Sequence, residues 1–390
     1  MSMYEKALRI LVVHSSAELY GSDRSLLDFV RHRGRHIQVT VALPEQGILV
    51  KELEAAGAKV IVGEVCKIQR GMFTPRGMLG TVLAAFRSIR FLGSARHNDR
   101  FDIVYSNTVA ILGGALCARL WGVPHVWHVR EILAGSKTLT AGFRHLVAGL
   151  SSAVVCNSGQ TLEWIRPNKN SDKYKVIWNG FDVPLVDLDR VAERARLGMT
   201  TDDILFVLVG RINAWKGQKL LVEAFASLAP GIATRAQLAI VGSAPAGQEH
   251  YESDLVAYVA KLGVSDRVKM IPYRADIDAI WVAADVVVVP STEPEPFGRV
   301  AIEAMGFKQP VIAAAHGGLV EIVVDGVTGR LVAPCDVKAL AEAMTEMISD
   351  AGLRHSMGEA GFARQCALFS VDGYASQLTS VMNATATSRG

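Results

Sequence analysis

Apolar runs recur along the chain, at 8–14, 37–43, 204–209 and 285–290, the last of them without polar alternation. A strand with no alternation is buried on both faces, as in a parallel sheet covered by helices. Further short runs predict strands at 59–62, 102–106, 124–131, 152–157, 175–178, 238–241, 268–271 and 311–314. Between them, segments of helix-forming residues predict helices at 23–33, 49–56, 110–121, from 218 onward, and at 298–305, 338–348, 353–369 and 371–382. Repeated strand–helix units imply doubly wound parallel sheets of the α/β class. The rhythm breaks at 182–185, where a turn with Pro184 opens a polar, less periodic stretch to Thr201. That break divides the chain into 1–183, 184–370 and a final helical segment 371–390.

With 390 residues, half of them apolar and a fifth charged, the chain exceeds what one hydrophobic core usually supports, so two globular domains are expected. Arg119 and Asp285 interrupt the longest apolar stretches, and the run at 10–13 is too short for a signal-peptide core. The expected location is the cytoplasm. The cysteines at 66, 117, 156, 335 and 366 show no paired spacing, so neither a disulfide framework nor a zinc site is suggested. Charge is unevenly spread. Residues 1–184 hold 23 Lys and Arg against 14 Asp and Glu, and the remainder 18 against 24, so the first half is the one suited to an anionic surface. Within 67–100 seven basic residues accompany one acid, Asp99, among many aliphatic and aromatic positions. Such a segment suits peripheral contact with the anionic inner face of a membrane; equally, it suits a helix that covers the sheet and solvates its arginines. Nothing in the chain reads as a nucleic-acid-binding motif.

The candidate chemistry lies in strand-to-helix loops. Glu295-Pro-Phe-Gly-Arg-Val-Ala-Ile-Glu303 joins the strand at 285–290 to the helix at 298–305, the place where α/β sheets bind ligands. The N–H groups of Gly298, Arg299 and Val300 at the helix start suit a phosphate. Glu295 and Glu303 are placed to flank one extended ligand, beside Phe297. Earlier, Gly210-Arg211-Ile-Asn-Ala-Trp-Lys216-Gly217 spans another such turn, and its two cations fit a diphosphate, Arg211 as a planar fork and Lys216 as a point charge. In the first half, Gly21 and Ser22 occupy the turn after the first strand, and His128, Arg130 and Glu131 lie at the exit of the strand at 124–131. The acidic pairs Asp187/Asp189 and Asp276/Asp278 are not aimed at a metal from a strand end, so no metal is expected.

The string from Glu295 to Gly306, with Gly-Arg…Lys-Gly at 210–217, resembles the retaining, nucleotide-sugar-dependent glycosyltransferases of the GT-B fold, family 4 (glycosyl transferases group 1). The resemblance runs along nearly the whole chain, weakly over 67–100 and the linker. It implies two Rossmann-like domains facing a central cleft, with the acceptor side first, the donor domain second, and a last helix crossing back. The substrates it implies are a UDP-, GDP- or dTDP-sugar and a glycan or lipid-linked acceptor in cell-surface polysaccharide or lipopolysaccharide synthesis, with no further cofactor. Arg211 and Lys216 would clamp the diphosphate, Glu295 would bind sugar hydroxyls and Glu303 the ribose. Gly242 and Tyr273 would border the base, His128 would contact the sugar, and Gly21 the diphosphate or acceptor. Ser22, Arg130 and Glu131 are candidates for the acceptor. Two other readings share the architecture: a sugar-nucleotide epimerase and a non-catalytic nucleotide-sugar-binding scaffold.

Overall fold

The computed structural model describes residues 7–68, 75–133, 137–166, 171–185 and 187–387, and Arg70, Met72 and Phe73 of the basic segment lie outside them. The chain forms two compact units, one built from 1–180 together with 371–390, the other from 181–370.

The first unit holds a seven-stranded sheet made of β1 (Leu8–Val13), β2 (Ile37–Leu43), β3 (Lys59–Val62), β4 (Ile103–Ser106), β5 (His125–Val129), β6 (Ala153–Cys156) and β7 (Tyr174–Val176). Its order is β3-β2-β1-β4-β5-β6-β7, with every pair parallel. The unbroken burial of β4 and β5 follows from that: central parallel strands have helices on both faces. The closing helix Val371–Thr387 belongs to this unit, and its Tyr374, Ala375, Leu378 and Met382 sit in one core with Ile10, Val12, Phe29 and Tyr105.

The second unit holds β8 (Ile204–Val209), β9 (Ala236–Val241), β10 (Val268–Ile271), β11 (Val286–Val289), β12 (Val311–Ala314) and β13 (Gly329–Val332). The order β10-β9-β8-β11-β12-β13, again all parallel, reverses direction between β8 and β11. In doubly wound sheets that reversal opens a crevice at the carboxyl ends of the two strands. In the first unit the same reversal lies between β1 and β4.

The sequence reading leaves the helices Lys137–Leu150, Gly159–Ile165 and His250–Lys261 unassigned, and two further stretches depart from it. The stretch read as a polar connection contains a helix, Arg190–Arg196, capped by the Asp189 carboxylate. It is pinned by Arg194, whose buried guanidinium donates to Asp285 at 2.8 Å and to the Ala283 carbonyl at 3.0 Å. The stretch 325–329, to which the sequence reading gives no strand, leads straight into β13, where Gly329 pairs with Val311. Glycine at the first position of an edge strand masks the strand's propensity. Among the described residues no helix is long and apolar enough to cross a membrane.

Candidate active site

In the second unit the loops leaving β8 and β11 meet at the reversal point. Asn213 organises the first: its side-chain carbonyl accepts the backbone N–H of Trp215 at 3.1 Å and of Lys216 at 3.0 Å, a local turn typical of asparagine. The Trp215 carbonyl then accepts the backbone N–H of Thr292 at 2.7 Å and its hydroxyl at 3.2 Å, joining the loops. Gly217 makes this approach possible. It has φ +79°, and a Cβ there would lie 2.0 Å from the Pro290 carbonyl oxygen.

This scaffold brings Lys216 to Glu295. The ammonium Nζ lies 2.5 Å from Oε1 of Glu295, which also accepts the Ser291 hydroxyl at 2.6 Å. Glu295 is nearly buried and Lys216 retains about a fifth of its side-chain exposure. The Trp215 ring lies 4.4 Å from the ammonium, so the cation is held by a carboxylate and an aromatic face. The loop after β12 closes a third side: the Gly318 N–H donates to the Glu295 carbonyl at 2.7 Å, and His316 Nε2 meets the Ser291 carbonyl at 2.8 Å. Gly317, at φ +63°, passes so close that a Cβ would stand 2.3 Å from the Glu295 carbonyl oxygen.

The helix Arg299–Gly306 begins just beyond, with Gly298 in the left-handed region at its cap. Glu303 lies one turn in and accepts from Arg299 Nε at 2.7 Å, both side chains being about nine-tenths buried. The two carboxylates thus have different partners. Val300 is half-buried at the helix start. Phe297 turns inward, 3% exposed and edge-on to Phe369, so it offers its backbone rather than its ring. Arg211 is exposed at the start of the β8 loop, where its carbonyl accepts from the Gln218 amide at 2.9 Å. Gly242 follows β9 and donates to the Ile271 carbonyl at 2.9 Å, while the exposed Tyr273 donates its N–H to the Ser243 hydroxyl at 3.1 Å. The acidic pairs have other duties: Asp189 is a helix cap, and Asp276 accepts from Arg274 Nε at 2.8 Å.

In the first unit a buried polar network fills the reversal point between β1 and β4. Asp23 accepts from His14 at 2.7 Å, from the Ser22 hydroxyl at 3.2 Å and from the Tyr20 N–H at 3.0 Å. Although burial works against its charge, these donors hold its carboxyl below the usual range. Asn107 donates to His14 Nδ1 at 3.2 Å, and its carbonyl accepts from the Tyr105 hydroxyl at 2.7 Å and from Arg130 Nε at 3.1 Å. Arg130 also donates to Asn179 and to the Tyr374 hydroxyl, each at 2.6 Å. Burial, and then the Arg130 charge, hold His128 neutral by pushing its pKa well down. Since the Tyr105 proton goes to Asn107, the 2.7 Å contact between that hydroxyl and His128 Nδ1 requires the proton on Nδ1. Nε2 is then a bare acceptor, buried and without a hydrogen-bond partner among the described residues.

Gly21 is exposed at the start of the helix Gly21–His32, with nothing within 4 Å of a Cβ built on it. Arg130 is almost fully buried, so its guanidinium is committed to the network. Glu131 accepts the Thr108 hydroxyl at 2.7 Å and the Val109 N–H at 3.2 Å, and burial raises its pKa in spite of both. Sequence reading missed His14, Asp23, Tyr105, Asn107, Asn179 and Tyr374. Asn107 and His14 each directly follow a strand, which is the signal that could have found them; Tyr374 gives none, because only the fold returns it to Arg130.

Two Rossmann-like parallel sheets, the second with a lysine and a glutamate converging beside a helix amino terminus, agree with the GT-B fold that the sequence motifs resemble. Residues 20–184 match the family described as Glycosyltransferase Family 4, and residues 189–364 match Glycosyl transferases group 1. A D-inositol 3-phosphate glycosyltransferase of Stackebrandtia nassauensis is 33% identical over 303 residues, covering 72% of this chain and 68% of that protein. The solved structure of Anabaena HepE with UDP-glucose is 29% identical with a TM-score of 0.82, covering 97% of this chain and all of the other. A glycosyltransferase of Rickettsia africae, 20% identical, shares the fold at a TM-score of 0.81 over 98% of this chain and 100% of its own. The chain belongs to glycosyltransferase family 4.

Proposed function

We propose that this glycosyltransferase moves a hexosyl group from a nucleotide-diphosphate sugar to a glycan or lipid-linked acceptor of the cell surface, with retention of anomeric configuration and without a metal. The observation that carries the reading is Lys216, held 2.5 Å from Glu295 at the mouth of the reversal point. In this reading the ammonium turns to the donor diphosphate and, with Arg211, neutralises the charge that develops as the glycosidic bond breaks. Charge stabilisation of this kind is commonly the largest catalytic contribution. The N–H groups of Gly298, Arg299 and Val300 receive the remaining phosphate charge. Glu295 accepts sugar hydroxyls and Glu303 accepts from the ribose. No residue is assigned as nucleophile; the acceptor hydroxyl attacks from the leaving-group side and passes its proton to the departing phosphate.

The complexes of Anabaena HepE with UDP and with UDP-glucose support a UDP-sugar as the first donor to test. The relatives named D-inositol 3-phosphate glycosyltransferase make a phosphorylated polyol the second acceptor to test, after a lipid-linked glycan. A donor that binds the folded state raises the melting temperature, so a panel of UDP-, GDP- and dTDP-sugars identifies the base. Release of nucleoside diphosphate only when acceptor is present separates transfer from epimerisation, and a melting shift with no turnover would mean a binding scaffold. Turnover is expected to survive EDTA. Lys216→Ala is expected to lower it by roughly 100- to 1,000-fold, and Arg211→Lys to lower it too, because a point charge does not reproduce the planar fork. Loss of activity in EDTA with rescue by manganese would transfer the charge role to a metal.

A further inference from the structure

We propose that the helix Pro75–Asn98 is a docking surface for an anionic lipid bilayer. The inference deepens the proposed lipid-linked acceptor and rests on it for its purpose, but its physical basis is separate. The helix is anchored by its second half. Ser88 and Leu92 are fully buried, and Leu92 packs with Leu11, Val104, Ile111 and Ala118. Gly113 lets the helix approach, since a Cβ there would lie 2.3 Å from the Ser88 hydroxyl oxygen.

The opposite side is left exposed, with no partner among the described residues of the unit. Leu79, Val82, Leu83 and Phe86 are 65, 65, 49 and 59% exposed, and their spacing of three, four and seven residues places them on one stripe. Four large apolar side chains in a row facing water cost free energy unless something covers them. The charge beside the stripe selects what does. Pro75–Asn98 contains no Asp or Glu, and Arg87 and Arg90 are exposed next to Phe86, with the Arg90 guanidinium 6.0 Å from its ring. Glu64 pairs with Arg87 at 3.4 Å, and Asp99, just past the helix end, pairs with Lys59 at 2.6 Å, both pairs being exposed. A second copy of the chain is disfavoured, because a two-fold contact of stripe on stripe would bring the arginines of both copies together. An apolar stripe edged by arginines matches a bilayer interface, where side chains enter the acyl boundary and guanidinium groups meet lipid phosphates.

The test is co-sedimentation of the full chain with vesicles of phosphatidylcholine alone and of phosphatidylcholine mixed with phosphatidylglycerol. Binding is expected to the mixed vesicles and to weaken as salt is added. Leu83→Ser with Phe86→Ser should reduce partition at least about tenfold, and Arg87→Gln with Arg90→Gln roughly thirtyfold, at ~1 kcal/mol per basic residue near the surface. All four side chains are exposed, so melting temperature and the UDP-sugar shift should match the wild type and exclude misfolding. Absence of wild-type binding, or equal binding by the variants, overturns the proposal; a dimer that Phe86→Ser dissociates would assign the stripe to a second copy. Vesicle binding without any donor shift would sink the transferase reading while leaving this surface intact.

Discussion

His125 and His128 lie on one strand, sealed from water, and each is held neutral by its surroundings. His125 bridges the Ser106 hydroxyl at 2.9 Å and the Leu150 carbonyl at 3.0 Å, and burial lowers its pKa to about 4. For a base whose folded pKa is depressed, the unfolded chain binds the proton first. The stability is therefore complete above the unfolded value near 6.5 and is lost progressively as pH falls toward about 4. Over that window His125 alone should account for about 3 kcal/mol, and His128 adds a slope of the same sign. Urea unfolding from pH 8 down to 5 should show stability falling below pH ~6.5. His125→Gln, which keeps a donor and an acceptor, should flatten the slope by about one proton. An unchanged slope would mean that His125 is already charged in the folded state. The residue types at this scale were legible in part: Lys216 and Glu295 stood out because both lie in strand-to-helix loops. Their 2.5 Å pairing was not legible, because a separation of 79 residues is closed only by the β8–β11 adjacency.

At the scale of elements, glycines separate what the fold needs from what a ligand needs. Gly217 is required by the fold: its φ is +79° and the Pro290 carbonyl occupies the space of a Cβ. Gly217→Ala should open the β8 loop, move Lys216 and lower both melting temperature and turnover. Steric and conformational strain at such a site is of order 1–3 kcal/mol or more. Gly21 is the contrast, with open space around it. Gly21→Ala should leave the melting temperature unchanged or slightly raised, since alanine favours a helix by ~1 kcal/mol. If the loop after β1 meets donor or acceptor, KM alone should rise. An unaltered KM would make Gly21 an ordinary turn residue. Elements were read well where burial made their pattern uniform, as in β8 and β11. The helix Arg190–Arg196 and β13 were missed, because one is held by Arg194 on Asp285 and the other begins on a glycine.

At the scale of the molecule, the first unit is discontinuous in sequence. Its core takes in Tyr374, Leu378 and Met382 from the closing helix, each at most 2% exposed, and Arg130 donates to the Tyr374 hydroxyl. Removing residues 371–390 takes away about 1.5 to 3 kcal/mol for each of these buried side chains and leaves a buried guanidinium short of one acceptor. A domain is stable by only about 5 to 15 kcal/mol, so the truncated chain should lose the cooperative unfolding of its first unit. The second, continuous from 181 to 370 with its own core, should still melt cooperatively. Calorimetry of the truncated protein decides the matter, and two undisturbed transitions would show that the helix is dispensable.

Local chemistry, by itself, determined the α/β class, the strands of both sheets apart from β13, and the loops that carry Arg211, Lys216, Glu295 and Glu303. It did so because a buried parallel strand must be apolar throughout and because cations and carboxylates in strand-to-helix turns stay visible in a linear reading. The tertiary structure decided which loops touch. Lys216 meets Glu295 because β8 pairs with β11, and His14 meets Asn107 because β1 pairs with β4. It also decided that Phe297 faces the core and that Arg130 serves Asn179 and Tyr374. Strand order is a long-range choice made by packing two helical layers on a twisted sheet, and no local pattern of residues encodes it.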